Sequence, residues 1–196
     1  YHYTNAADMA LAPYAHIYVA TNGNNGNSGT SPGSPFRSIT KALSVANSGN
    51  TIHIGAGSYT NLLETFPLSL THKADIDFIG QGTSNTFIDA SGTTKKVFEL
   101  DNVHDITFSG LDIRNGHPNI AELAAYGGGI CINYGEDIFV GDCFFTNNWA
   151  DGDHWSQGFG GGIYAAASVI DVADCIFNKN RASGSGEGGG AAYITS

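Results

Sequence analysis

Two carboxylates, Asp142 and Asp174, recur in matching surroundings, DCFFTNN and DCIFNKN. If the two segments stack as neighbouring strands, these side chains lie roughly 5 Å apart. A pair at that distance could bind Ca²⁺ or share one proton. Arg114 closes the preceding copy of the same segment and is the basic partner such a pair would need, although the spacing does not aim it there. The competing reading is conformational, because each Asp precedes a residue entering a new strand, where Asp suits a turn on backbone grounds alone. A second candidate is the loop WADGDHW, in which Asp151 and Asp153 could ligate a cation and Trp149 and Trp155 could stack on a sugar ring. Its plainer reading is a polar excursion closed by aromatic packing. Asn148 and Asn180, separated by the same interval as the Asp pair, could either bind sugar or form an internal ladder of amides that satisfies turn backbone groups. The seven His residues show no His-x-x-x-His spacing, and no nucleophile elbow, P-loop or dinucleotide fingerprint occurs.

The elements that must position these residues are repeats. ITFSGLDIRN from Ile106, IFVGDCFFTN from Ile138 and IDVADCIFNK from Ile170 superpose at a constant interval. Phe108, Val140 and Val172 share one column, Leu111, Cys143 and Cys175 a second, and Ile113, Phe145 and Phe177 a third. Triple glycines begin at Gly127, Gly160 and Gly188, and the loops before them differ in length. A fixed period with variable loops on one side is the signature of a solenoid. Within each unit the apolar residues alternate, so the segments are short strands with one face buried. Segments upstream follow the same rhythm less regularly. The crossover rule for parallel strands then predicts an all-β fold, a right-handed single-stranded parallel β-helix over residues 17–196, with regular coils over about 106–196. SPFRSITKALSVANSGN breaks the pattern. Ser34, Pro35 and Gly49 predict a helix over about 35–47, with Phe36, Ile39 and Leu43 covering the N-terminal end of the core.

The stretch IYVATNGNNGNSGTSPGSPFRSITKALSVANSGNTIHIGAGSYT resembles the opening of secreted pectate-lyase-like β-helix proteins: a strand, a Gly/Asn-rich loop, a cap helix and a strand leading to a Gly-x-Tyr turn. The later part, with Phe145-x-x-Asn148, Phe177-x-x-Asn180 and the Gly-Gly-Gly runs, is similar to the repeats of polymorphic outer membrane proteins and adhesin-like surface proteins. These resemblances imply the fold. They leave the function among lyases, hydrolases, epimerases, adhesins and passive surface layers. For acidic polysaccharide lyases of this fold the resemblance implies a Ca²⁺ site beside an Arg or Lys base.

Composition narrows the field. With 27 Gly and 13% charged residues, the chain suits many short strands joined by turns. A net charge of −10 with eight scattered basic residues argues against nucleic acid as a partner. No apolar run reaches the ~18 residues that span a bilayer. Of three cysteines, Cys143 and Cys175 point inward, whereas Cys131 lies between core-facing Ile130 and Ile132 and is expected to face out, open to an intermolecular cross-link.

The expected function is therefore an extracellular, secreted or cell-surface structural solenoid without a cofactor, Ca²⁺ being the one candidate. A secreted polysaccharide lyase or hydrolase is the enzymatic alternative and an adhesin the third, with polysaccharide as the ligand of either. Head-to-tail self-association is also expected. An N-terminal arm, residues 1–16 with Tyr1, Tyr3, Met9 and Leu11, would dock on a last coil that carries Tyr193 and Ile194 and has no polar cap.

Overall fold

The computed structural model describes residues 15–118, 124–152, 157–184 and 187–195. These residues wind into a parallel β-solenoid of about five turns with one short helix near the N-terminus. The longest sheet stacks His16–Val19, Thr51–Ile54, Ala74–Gly80, Phe98–Ser109, Ile130–Gly141, Ile163–Ala166 and Ala192–Thr195. A second sheet stacks Gly57–Thr60, Thr86–Asp89, Asp112–Arg114, Phe144–Thr146 and Ile176–Asn178. Two small sheets, one built on Trp149–Asp151 and Arg181–Ser183, form an excursion from the later coils.

The two 12-residue strands do not run straight. Phe98–Ser109 pairs with Leu68–Thr71 through its first half and with Ala74–Gly80 through its second. Between the halves, Asn102 and Asp105 adopt φ of 51° and 53°. Tyr134 and Asp137 do the same one coil on, as do His72 and Asp75 one coil before. Asn and Asp tolerate this left-handed conformation better than other non-glycine residues, which is why they recur at solenoid corners.

Period-2 alternation sends one side chain in two into a core shared by all coils. Phe78 stacks on Phe108 at 4.8 Å with 5° between the rings, and Phe98 meets both edge-on. In the second sheet Ile88, Ile113, Phe145 and Phe177 fall in one register column, and the Phe145 and Phe177 rings stack at 4.9 Å. Burying a ring of this size contributes roughly 2–3 kcal/mol, and stacking adds about 1 kcal/mol.

The helix is shorter than its sequence pattern predicts, Ile39–Val45 instead of 35–47, and its cap is Ser38 instead of Ser34. The reason is competition for the backbone. Phe36 bridges to Val19 as a strand residue, donating to the Tyr18 carbonyl and accepting from Ala20 N–H, so it cannot enter the helix. Ile39 and Ala42 are buried, and the helix packs against His16–Val19 and Leu68–Thr71, covering the end of the row that Leu68–Thr71 begins. Its first turn is held from the next coil: the Glu64 carboxylate accepts from Ile39 N–H at 2.8 Å, Thr40 N–H at 2.7 Å and the Thr40 hydroxyl at 2.6 Å. Desolvation pushes the Glu64 carboxyl above its ordinary value, against the pull of these three bonds.

Candidate functional site

Asp142 and Asp174 do share a corner column with Gly110. All three take positive φ, at 49°, 51° and 69°. The corner is held by backbone, with Gly110 N–H donating to the Asp142 carbonyl and Asp142 N–H to that of Ala173. Both carboxylates are exposed at the bend. Arg114 is not with them. It pairs with Asp112 in its own strand, and its guanidinium lies 4.3 Å from the centre of the Phe87 ring. Register sets Asp112 between Phe87 and Phe144 on the outer face, where its side chain is 5% exposed. One Asp112 oxygen and Arg114 Nε have no protein partner, yet both are shielded from solvent. The triad of Asp142, Asp174 and Arg114 is therefore divided between a corner and a sealed ion pair, because residues at opposite ends of so short a strand point to different surroundings.

The amide columns are occupied by backbone. The Asn148 carbonyl oxygen accepts from Gly116 N–H at 2.9 Å, and its amide donates to the Ile113 carbonyl at 2.8 Å. Asn180 repeats this one coil on, accepting from Asn148 N–H and donating to the Phe145 carbonyl. Asn148 is fully buried. A parallel outer column runs from Asp89 through Asn115 to Asn147, each amide donating to the residue before it.

The cysteines correct one expectation. Cys131 does sit on the outward side of its strand, between Glu99 and Tyr164 in register, but it is only 1% exposed. Asn133 Nδ2 lies 4.0 Å from its sulfur, the Lys96 side chain lies beside it, and the Gly127 turn leaves no room for even an added methyl beside its Cβ. Burial pushes its thiol up. An intermolecular disulfide needs an accessible sulfur, so Cys131 is not positioned for one. The Cys175 thiol donates to the Ala173 carbonyl at 3.2 Å or the Val140 carbonyl at 3.4 Å, and the neighbouring Cys143 lowers it below its ordinary value.

Asp151 is engaged. Its Oδ1 accepts from the Ser183 hydroxyl at 2.7 Å and lies 3.3 Å from Arg181 Nε, while His117 Nε2 is 3.6 Å from Oδ2. Asp153 and Trp155 lie outside the described residues. Among the described residues no group of three or more His, Cys, Asp or Glu could hold a metal. Asp151 belongs to a different arrangement. His117, Trp149 and Arg181 occupy consecutive coils, joined by bonds from Trp149 N–H to the Gly116 carbonyl and from Arg181 N–H to the Asn148 carbonyl. The imidazole meets the indole edge-on at 5.3 Å, and the guanidinium sits 5.8 Å from it. His117 and Arg181 remain about half exposed. This outward column of imidazole, indole and guanidinium, flanked by Asp151 and Ser183, is a surface able to meet a flat polar ligand.

Sequence reasoning passed over a second surface. Tyr18 and His53 lie across from each other in register and stack at 4.8 Å with 15° between the rings. With Pro32, Pro35, Ile79 and Gln81 they line a hollow of about 260 Å³. These residues come from three turns of unequal length, so no fixed spacing announces them. The one available signal was the aromatic and imidazole content of IYV and IHI.

Of the residues expected to mediate assembly, Tyr193 packs against Phe159 at 4.6 Å and Ile194 is exposed, while Tyr1, Tyr3, Met9 and Leu11 lie outside the described residues. No described helix is long and apolar enough to cross a membrane.

A family model described as a protein of unknown function, DUF1565, matches residues 21–186. No curated protein matches the chain. Among solved structures, a mutant pectin methylesterase in complex with a hexasaccharide is similar at 15% identity and a TM-score of 0.48, covering 81% of this chain and 54% of that one. Pectin methylesterase PemA from Erwinia chrysanthemi is similar at 15% identity and 0.46, covering 84% and 54%. A rhamnogalacturonan lyase is similar at 15% and 0.43, covering 88% and 62%. The chain spans about half the length of the pectin methylesterases it matches.

Proposed function

The chain belongs to the DUF1565 family, and we propose that it is an extracellular surface β-helix that binds a neutral polysaccharide along the excursion edge of its later coils. The observation that carries this reading is the column His117–Trp149–Arg181 with Asp151 and Ser183 beside it. Sugar rings have an apolar C–H face and a rim of hydroxyls. An indole takes the first, and carboxylate, guanidinium and hydroxyl groups in fixed positions take the second. The edge is ordered in advance, since Arg181, His117 and Ser183 already hold the Asp151 carboxylate. A net charge of −10 repels polyanions, which favours a neutral glycan over a polyuronate. Binding without cleavage is favoured by the separation of Arg114 from Asp142 and Asp174 and by the sealing of Asp112. An adhesive or wall-lining role would suit a solenoid that presents such an edge.

The test is calorimetric titration with soluble neutral oligosaccharides and with an oligouronate, on the wild-type chain and on Trp149→Ala. The expected result is binding to a neutral glycan that varies little between low and high salt and weakens at least tenfold in the variant, with unchanged circular dichroism. Absence of binding to every glycan, or equal binding by the variant, overturns the reading. Shortening of the oligosaccharide during the titration would favour the lyase or hydrolase alternative instead.

A further inference from the structure

We infer that His16 and His53 form a two-imidazole site for a divalent transition metal of tetragonal preference, copper(II) or nickel(II). The site lies on the first two coils, away from the excursion edge, and is independent of the glycan reading.

The register creates it. His16 pairs with Thr51 and Tyr18 with His53, so the two histidines are diagonal neighbours on the outward face of the long sheet. His16 Nδ1 and His53 Nε2 are 3.0 Å apart. Two imidazole nitrogens at that separation, each bound to one metal at the usual distance of roughly 2.0–2.1 Å, subtend an angle of roughly 90–97° at the metal. A tetrahedral angle would need a separation of about 3.4 Å at the same bond lengths. The observed separation therefore suits two adjacent corners of a square or octahedron, the arrangement that copper(II) and nickel(II) prefer with nitrogen donors.

Without a metal, one ring must donate its N–H to the lone pair of the other, so each nitrogen holds either a proton or an electron pair on the shared side. On metal binding the donating ring shifts that proton to its other nitrogen, so that both facing nitrogens offer lone pairs to the metal. The rings need only tilt outward together, since they already stand at 44° to each other and His16 is exposed and able to turn. His53 is braced by the stacked Tyr18 ring, which lowers the ordering cost of coordination. Asp77 continues the column beyond Thr51, whose hydroxyl donates to its carboxylate at 3.2 Å. It contributes negative potential to a cation without reaching it. The remaining coordination positions fall to water.

The experiment is titration of the full chain with copper(II) at neutral pH, followed by calorimetry and electron paramagnetic resonance, on wild type, His16→Ala, His53→Ala and His104→Ala. His104 is an exposed histidine on another coil and reports ordinary surface binding. The expected result is one tight equivalent with a tetragonal spectrum showing two nitrogen ligands. Each of His16→Ala and His53→Ala should weaken it at least tenfold and reduce the nitrogen count by one. His104→Ala should leave it unchanged. Equal binding by all four proteins, or loss confined to His104→Ala, overturns the proposal. His16 is exposed, so its variant tests the site even if His53→Ala disturbs the stacking with Tyr18.

Discussion

The coils before residue 98 and those after it follow one winding rule yet dispose of their polar groups differently. In the later coils, what repeats is consumed. Asn148 and Asn180 give donors and acceptors to the backbone one coil away, and Asp142 and Asp174 hold corners in a conformation most residues avoid. In the early coils the turns differ in length, the columns are broken by the helix and by the loop that carries Pro32 and Pro35, and His16, Tyr18 and His53 are left facing one another, with Tyr18 and His53 beside an open hollow. The comparison teaches that regular repetition in a solenoid marks residues committed to its own backbone. In the early coils, residues open to a ligand appear where the repeat is interrupted. The column His117, Trp149 and Arg181 is the exception in the later coils, since it recurs at the constant interval yet faces outward.

The largest expected effect strikes the regular half. Phe145 is fully buried between Ile113 and Phe177, and Phe145→Ala should cost about 3–5 kcal/mol in urea denaturation. Tyr18→Ala, which removes a partly exposed outward ring, should cost no more than about 1 kcal/mol. If the two costs were equal, the two regions would not differ as described.

The next effect isolates the amide column. Asn148→Ala strands the buried Gly116 N–H and Ile113 carbonyl, each at a cost of about 1–3 kcal/mol, and should lower stability by about 2–4 kcal/mol. Hydrogen exchange should show the loss of protection at Gly116 first. A cost below about 1 kcal/mol would mean that water replaces the amide and that the ladder is not structural.

The smallest effect sharpens the other side. The folded His53 imidazole has a pKa below its ordinary value of 6.5. The unfolded chain therefore binds this proton more readily than the folded one. Stability should fall slightly as pH drops from about 6.5 toward the folded value, and should be flat above about 6.5. His53→Gln should flatten that part of the pH profile of the thermal midpoint. An unchanged slope in the variant would assign the effect to another group.

Much of the fold was legible because solenoid register is written as spacing. Phe145 and Phe177, one repeat apart, lie in the same core column because each coil consumes the same length of chain. The helix was legible in kind and misjudged in extent, since nothing local reveals that Phe36 is claimed by Val19 in a β-bridge. Cys131 was legible in direction and misjudged in exposure: alternation says which face a side chain points to, and only the packing of Lys96 and the Gly127 turn says what covers that face.

By itself, then, the order of residues determined the strands, their parallel stacking and the membership of the inner columns, because alternation and period are one-dimensional properties of a chain. Tertiary structure alone decided that Arg114 joins Asp112 and leaves Asp142, that Glu64 holds the helix from a coil away, and that His16 meets His53. The last two depend on how far each turn carries the chain along and around the solenoid axis, whereas Arg114 and Asp112 share the outer face of one strand. Turns of unequal length give sequence spacing no constant by which to predict them.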